Sequence, residues 1–218
     1  MNARFDAKQA QLASKSADVQ QRIIDAALEL LKQDGLANIS LRKLAGMVDM
    51  QAPALYWYFK SKEDLVDYMA EEILRKEFHD LQPRQAEESW QDWLTGVMIR
   101  LRKAMLAYPD GARTVAGAHL YPAVTLAQLS EITLQSLENA GVDLEIARNI
   151  MMTTTNYTFG FVIEEQAAPT ATSEEIAEFL EPYPTMVRAL AHIDFSRDTA
   201  DESFRTGLGY IISGSTSK

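Results

Sequence analysis

Residues 40–62 read SLRKLAGMVDMQAPALYWYFKSK, and this stretch decides the fold. Ser40 suits a helix N-cap, because its hydroxyl can accept a backbone N–H from the first turn. The residues after it, Leu41 to about Met47, make two helical turns. A second short helix is predicted over about Ala52 to Tyr58, with Pro53 in its first turn, where the missing N–H costs nothing. Val48-Asp49-Met50 is left as a tight connector, and Asp49 tolerates the left-handed backbone of a sharp turn. Two short helices joined in this way form a helix-turn-helix, whose second helix enters the DNA major groove. Leu44, Leu55 and Phe59 read as core. Gln51, Tyr56, Trp57, Tyr58, Lys60 and Lys62 supply amides, aromatic hydroxyls and ammonium groups for bases and phosphates. On spacing alone, a three-helix bundle that packs these aromatics without touching DNA is the alternative.

Outward from this motif the chain reads as helix throughout, with no alternating run bounded by turns, so the fold class is all-α. Ile23, Ile24, Ala27, Leu28 and Leu31 share one face of a helix predicted over Asp18 to Lys32, and Gly35 follows as a C-terminal cap. Ser61-Lys62-Glu63-Asp64 resembles a capping box that opens a helix running to about His79. Further helices are predicted at about Trp90–Ala107, Ala123–Ala140, Asp143–Gln166, Glu174–Glu181, Thr185–His192 and Asp198–Ser213. Ala167–Ser173 reads as a mobile loop. The expected organisation is a flexible arm over 1–17 and a three-helix DNA-binding domain over 18–64. A larger helical domain for ligand binding and dimerisation follows over 65–218.

The chain has 218 residues, 47% of them hydrophobic, which is enough for a substantial core. It has no cysteine, which excludes disulfides and fits a reducing compartment. No apolar run approaches the roughly 20 residues of a membrane span, and Met1–Ser16 lacks a signal-peptide core. A cytoplasmic protein without membrane attachment is expected. The net charge of −10 runs against phosphate binding, yet it is unevenly spread. Residues 1–62 carry +3 and the remainder −13, a basic head on an acidic body. With three histidines, no glycine-rich phosphate loop and no metal-spaced cluster, nothing is left to carry catalysis, and neither cofactor nor metal is expected.

The runs Ser40-Leu41-Arg42-Lys43-Leu44-Ala45 and Pro53-Ala54-Leu55-Tyr56-Trp57-Tyr58-Phe59-Lys60-Ser61-Lys62 resemble the DNA-binding signature of the tetracycline-repressor (TetR) family. The resemblance implies that Arg42, Ala52, Pro53, Ala54, Tyr56, Trp57 and Tyr58 face an operator and that Lys62 meets phosphate. With Leu41, Gln51 and Lys60 these make the candidate DNA-contacting set. The alanines can touch thymine methyl groups, and Gln51 can pair with adenine.

The likeness extends through Glu88-Ser89-Trp90-Gln91-Asp92, Asp110-Gly111-Ala112 and Thr158–Gln166, where the chain is similar to the tetracycline repressors proper. Those proteins bind the drug as a magnesium chelate through a histidine. The matching position here is Val115, with Phe78, Val97, Leu101 and His119 at neighbouring drug-holding positions and Glu164 at the acidic one. Valine cannot ligate a metal, and magnesium needs oxygen ligands. A metal-free, lipophilic or aromatic effector is therefore expected. Its candidate pocket comprises Phe78, Val97, Leu101, Val115, Leu134, Met151 and Phe159, with His119, Thr155, Asn156 and Glu164 as polar groups. The resemblance also implies a homodimer built on the helix ending at Gln166 and on the last helix. There Leu208, Ile211 and Ile212 lie beside Gly207 and Gly209, which allow close approach. The expected function is a repressor that binds a palindromic operator and releases it when effector binds. Activation, or DNA binding without any small molecule, are the alternatives.

Overall fold

The computed structural model describes residues 2–119, 123–167, 172–190 and 199–214. These residues form eleven α-helices and no strand. The head comprises α1 (Asn2–Asp34), a 3-10 turn (Leu36–Asn38), α2 (Leu41–Met47), α3 (Ala52–Leu55) and the start of α4 (Lys62–Phe78). The body adds α5 (Trp90–Leu106), α6 (Gly111–Ala116), α7 (Val124–Glu138), α8 (Leu144–Glu165), α9 (Ser173–Leu180), α10 (Pro184–Leu190) and α11 (Thr199–Gly214).

Local chemistry accounts for most helix ends. Ser40 accepts the Lys43 N–H at 3.2 Å, Ser61 the Asp64 N–H at 3.1 Å, and Asp143 the Glu145 N–H at 2.9 Å. The capping box at Ser61 is modified, because Asp64 reaches past the cap and accepts the Lys60 N–H at 2.7 Å. Gly35 has φ 75° and donates its N–H to Leu31 at 3.1 Å, the expected left-handed stop.

Several expectations are corrected. The arm expected over 1–17 is helical from Asn2, as one piece with the helix after it; its alanine, glutamine and lysine content favours helix. The second helix of the motif ends at Leu55, and the chain tightens into i→i+3 bonds, Trp57 to Ala54 at 3.3 Å and Tyr58 to Leu55 at 2.9 Å. Helix α6 was not expected, since GARTVA is short and opens on glycine. A tertiary clasp holds it. The Gln166 side chain accepts the Ala112 N–H at 3.1 Å and donates to Met105 O at 3.1 Å and Tyr108 O at 2.8 Å. Residues 168–171 of the expected loop and the expected helix end at His192 lie outside the described residues.

A partly buried ion cluster ties three helices of the body together. Arg102, on α5, is 8% exposed. It donates to both oxygens of Glu165 on α8, at 2.8 and 2.6 Å, and to Asp201 on α11 at 2.8 Å. Its guanidinium also lies over the Phe161 and Phe204 rings. Hydrogen bonds to Glu165 outweigh burial and hold Arg102 more firmly protonated than usual. Next to this cluster Tyr157 stacks on Phe204 at 5.6 Å. A Cβ at Gly207 would lie 2.1 Å from the Tyr157 hydroxyl. Gly207 therefore serves packing within the chain, and Leu208 and Ile212 are likewise buried in the chain's own core. The expectation that these three face a second subunit is corrected.

Candidate nucleic-acid interface and effector site

The head presents its polar groups because its apolar ones are used behind them. Leu44, Leu55 and Phe59 are fully buried, and Asp49 makes the turn between α2 and α3 with φ 54°. Tyr56 is left 57% exposed and Trp57 89% exposed, side by side just past α3. A ring at 89% exposure contributes little to packing within the chain. Arg42, Gln51, Pro53 and Lys60 are also exposed, while Ala52, Ala54 and Tyr58 are half-buried.

Two candidates differ from expectation. Leu41 is buried at 8% exposure, because the first turn of α2 packs its apolar side into the head. Its side chain belongs to the core. Lys62 turns its ammonium inward and donates to the Leu36 carbonyl at 3.0 Å and the Ala37 carbonyl at 3.4 Å. It thereby caps the 3-10 turn.

Head and body meet at charged and polar contacts that sequence reasoning did not anticipate. Asp110 has φ 55° and accepts the Leu36 N–H at 3.0 Å, tying the head to the start of α6. The Lys32 ammonium lies 5.1 Å from the Tyr108 ring centre. On the other side, buried Asp67 of α4 accepts the His119 N–H at 3.0 Å and also meets its ring Nδ1 at 3.0 Å. A cleft of about 430 Å³ lies between these ties, lined by Leu36, Val66, Asp67, Arg113 and His119. The left-handed position at Asp110, just ahead of Gly111, was the readable trace of this junction.

The candidate effector residues divide by burial. Phe78, Val97, Leu101 and Val115 are buried within one core cluster. Leu134, Met151, Thr155 and Phe159 are half-buried. Asn156 and Glu164 are exposed on α8. His119 is committed to Asp67, with a side chain 75% exposed, so it faces the head–body cleft. Val97 lines a second cleft of about 510 Å³ with Trp93, Gly96 and Arg100. Four of the apolar members thus belong to the core, and of the polar ones Asn156, Glu164 and His119 are exposed. No helix among the described residues is long and apolar enough to cross a membrane.

Comparison with known proteins places both halves. Residues 23–69 match the family described as bacterial regulatory proteins, tetR family, and residues 82–218 match the tetracyclin repressor-like C-terminal domain. The chain is 36% identical over 193 residues to the tetracycline repressor protein class A from transposon 1721 of Escherichia coli, with 88% of each covered. Among solved structures, a possible TetR family transcriptional regulator from Streptomyces coelicolor A3(2) aligns with a TM-score of 0.79 at 30% identity, covering 89% of this chain and 97% of that one. Class A TetR in complex with 5a,6-anhydrotetracycline and magnesium aligns with a TM-score of 0.65 at 31% identity, covering 90% and 96%.

Proposed function

The chain belongs to the TetR family of bacterial regulators, and on that premise we propose that it is a cytoplasmic, ligand-responsive transcriptional repressor and not an enzyme. It binds a palindromic operator as a homodimer, reading bases with Arg42, Gln51, Ala52, Pro53, Ala54, Tyr56, Trp57 and Tyr58 while Lys60 meets phosphate. The observation that carries this reading is the pair Tyr56 and Trp57, bared at 57% and 89% beside a fully buried Leu55. An exposed apolar hairpin supports the dimer. Ile176 and Phe179 of α9, Tyr183 between the helices, and Met186 and Val187 of α10 are all at least 44% exposed. A second subunit would cover that surface.

The effector is small, metal-free and lipophilic or aromatic. Val115 is 1% exposed among apolar neighbours, and a valine there offers a metal nothing. Phe78, Val97, Leu101, Val115, Leu134, Met151 and Phe159 supply apolar lining, with Thr155, Asn156 and Glu164 along α8 as orienting groups. His119, held by Asp67, acts at the head–body junction. Selection of bound duplexes from a random pool should return an inverted repeat. A thermal-shift screen of aromatic and lipophilic compounds, followed by operator-release titrations, should yield hits that both stabilise the protein and free the DNA. Stabilisation by magnesium–tetracycline in preference to metal-free compounds would overturn the effector assignment.

A further inference from the structure

Helix α5 carries a glycine that its packing does not use. Gly96 stands in the middle of this 17-residue helix, where glycine is the poorest helix former apart from proline. It is exposed, and a Cβ added there would meet no atom within 4 Å. Gly111 and Gly207 differ, since they lie against Met105 and Tyr157. Close approach within the chain therefore does not account for Gly96.

Gly96 lies instead on the floor of the cleft of about 510 Å³, a volume that suits one drug-sized molecule. Asp92, Gly96 and Arg100 recur every four residues and share one face of α5, with Trp93 and Val97 in the adjoining row. From Asp92 to Arg100 the groove runs about 12 Å along the helix, at 1.5 Å per residue. Leu81 and Pro83, from the segment between α4 and α5, supply an apolar wall. Arg84 fixes that segment. Its backbone N–H donates to Ser136 Oγ on α7 at 3.2 Å, and its guanidinium donates to the carbonyls of Gln85 at 2.8 Å and Ala86 at 3.2 Å. A wall held beforehand spares a ligand the cost of ordering it.

The two ends of the groove differ in charge. At one end Arg100 is neutralised by Asp80 at 2.6 Å and Glu77 at 3.3 Å, and it lies 5.1 Å from the ring centre of Phe78. At the other end stand Glu88 and Asp92, and neither carboxylate has an ion-pair partner among the described residues. The lining thus holds three acids and one base, while Arg84 is turned onto carbonyls of its own segment.

We propose that this groove binds a lipophilic cation, with the apolar body along α5 over Gly96 and the ammonium between Glu88 and Asp92. The assignment deepens the effector reading, with which it shares Val97, and rests on that reading for its consequence, release of operator DNA. A lipophilic anion fits less well, because it has to displace Asp80 from Arg100 and lie beside two uncompensated carboxylates.

The test titrates the full chain by calorimetry with three probes of one shape, 4-phenylbenzylammonium, 4-biphenylmethanol and biphenyl-4-carboxylate. The ammonium should bind about tenfold more tightly than the alcohol, since two partly exposed charge pairs each contribute a few-fold, and the carboxylate should bind most weakly. Glu88→Gln/Asp92→Asn should make the ammonium and the alcohol equal. Gly96→Leu fills the groove and should abolish binding of the ammonium while raising the melting temperature by roughly 2–3 °C, because leucine is the better helix former. Gly96→Ala should weaken binding less and melt higher as well. No binding of the ammonium, tighter binding of the carboxylate, or unchanged ammonium affinity in Gly96→Leu overturns the proposal. A chain that binds operator duplex and releases it with neutral or anionic compounds, while ignoring the ammonium, also overturns it and leaves the regulator reading standing. Ammonium binding that Gly96→Leu abolishes, in a chain that engages no duplex, supports the groove and overturns the regulator reading.

Discussion

Lys62→Met separates two roles for one ammonium group. The family resemblance places Lys62 on phosphate, whereas the structure has it donating to the carbonyls of Leu36 at 3.0 Å and Ala37 at 3.4 Å. Methionine keeps most of the apolar stem and removes all three donors, so packing is nearly conserved. A hydrogen bond involving a charged group contributes about 1.5–3 kcal/mol when well shielded. Here the bond to Ala37 is exposed, and the Leu36 carbonyl keeps a second partner in the Ile39 N–H at 3.3 Å. The expected loss therefore falls below that range, at about 1 kcal/mol, or roughly 2–4 °C in melting temperature for a chain of this size. Lys60→Met is the matched control, since Lys60 is exposed and engages the fold through its backbone N–H. It should melt like wild type and lower the salt slope of duplex binding by about 0.9. Melts are compared at one protein concentration, because dimerisation would shift them by mass action. If Lys62→Met melts like wild type while its salt slope falls as that of Lys60→Met does, the capping role is refuted and the ammonium belongs on phosphate.

Three further substitutions test other parts of the structure. Gly111→Ala would put a Cβ 2.0 Å from the Met105 carbonyl oxygen; a backbone atom cannot swing aside, so a loss on the order of 3 kcal/mol is expected by urea unfolding. Arg102→Met strands Glu165 and Asp201, whose side chains are 20% and 41% exposed. Rehydration of those partly exposed carboxylates should reduce the usual cost of breaking a buried pair to about 2–3 kcal/mol, and a variant as stable as wild type would show that the cluster contributes nothing net. Glu72 is 4% exposed on α4. Burial raises its carboxyl, but the hydrogen bond and charge of Arg75, joined by Lys76, outweigh it and hold the group below its ordinary 4.5. Its contribution is thus present above pH 4.5 and lost as the pH falls through the lower folded value. Glu72→Gln should flatten that part of the acid-unfolding curve, and an unaltered curve would contradict the assignment.

The parts of the fold written into the sequence are those decided over a few residues. Ser40, Ser61 and Asp143 cap their helices through their own side chains, Gly35 and Asp49 take the left-handed backbone, and a glycine or aspartate is the residue expected at each. Helix α6 was hidden because its stability comes from Gln166, more than fifty residues further along, rather than from helix propensity. The intramolecular contacts of Lys62 were hidden for a related reason. Nothing local distinguishes a lysine aimed at solvent from one folded back onto carbonyls 25 and 26 residues earlier. The apolar character of Phe78, Val97, Leu101 and Val115 was enough to mark them as buried. The direction of the polar ones was not legible, since it depends on partners such as Asp67, 52 residues from His119.

The junction between head and body limits how strongly an effector has to act. Asp110 with Leu36, Lys32 with Tyr108, Asp67 with His119 and Asp25 with Lys76 span it. The Asp25–Lys76 pair is 4.0 Å long, with both side chains about half-exposed, and such surface pairs contribute about 0–1 kcal/mol. The Lys32 contact lies on an exposed residue, where a cation over a ring gives about 0.5–1 kcal/mol. The ties from Asp110 and Asp67 to backbone N–H groups are stronger, about 1.5–3 kcal/mol each, because a carboxylate accepts them. Breaking one strong tie and loosening the others therefore costs a few kcal/mol. A ligand that prefers the rearranged state by about a hundredfold supplies about 2.8 kcal/mol, enough to shift that balance without distorting the core of either half. Buried apolar residues of head and body also belong to one cluster, and separating those would demand far more of a small molecule. The polar ties are therefore the part of the junction that an effector of the proposed kind would exchange at least cost.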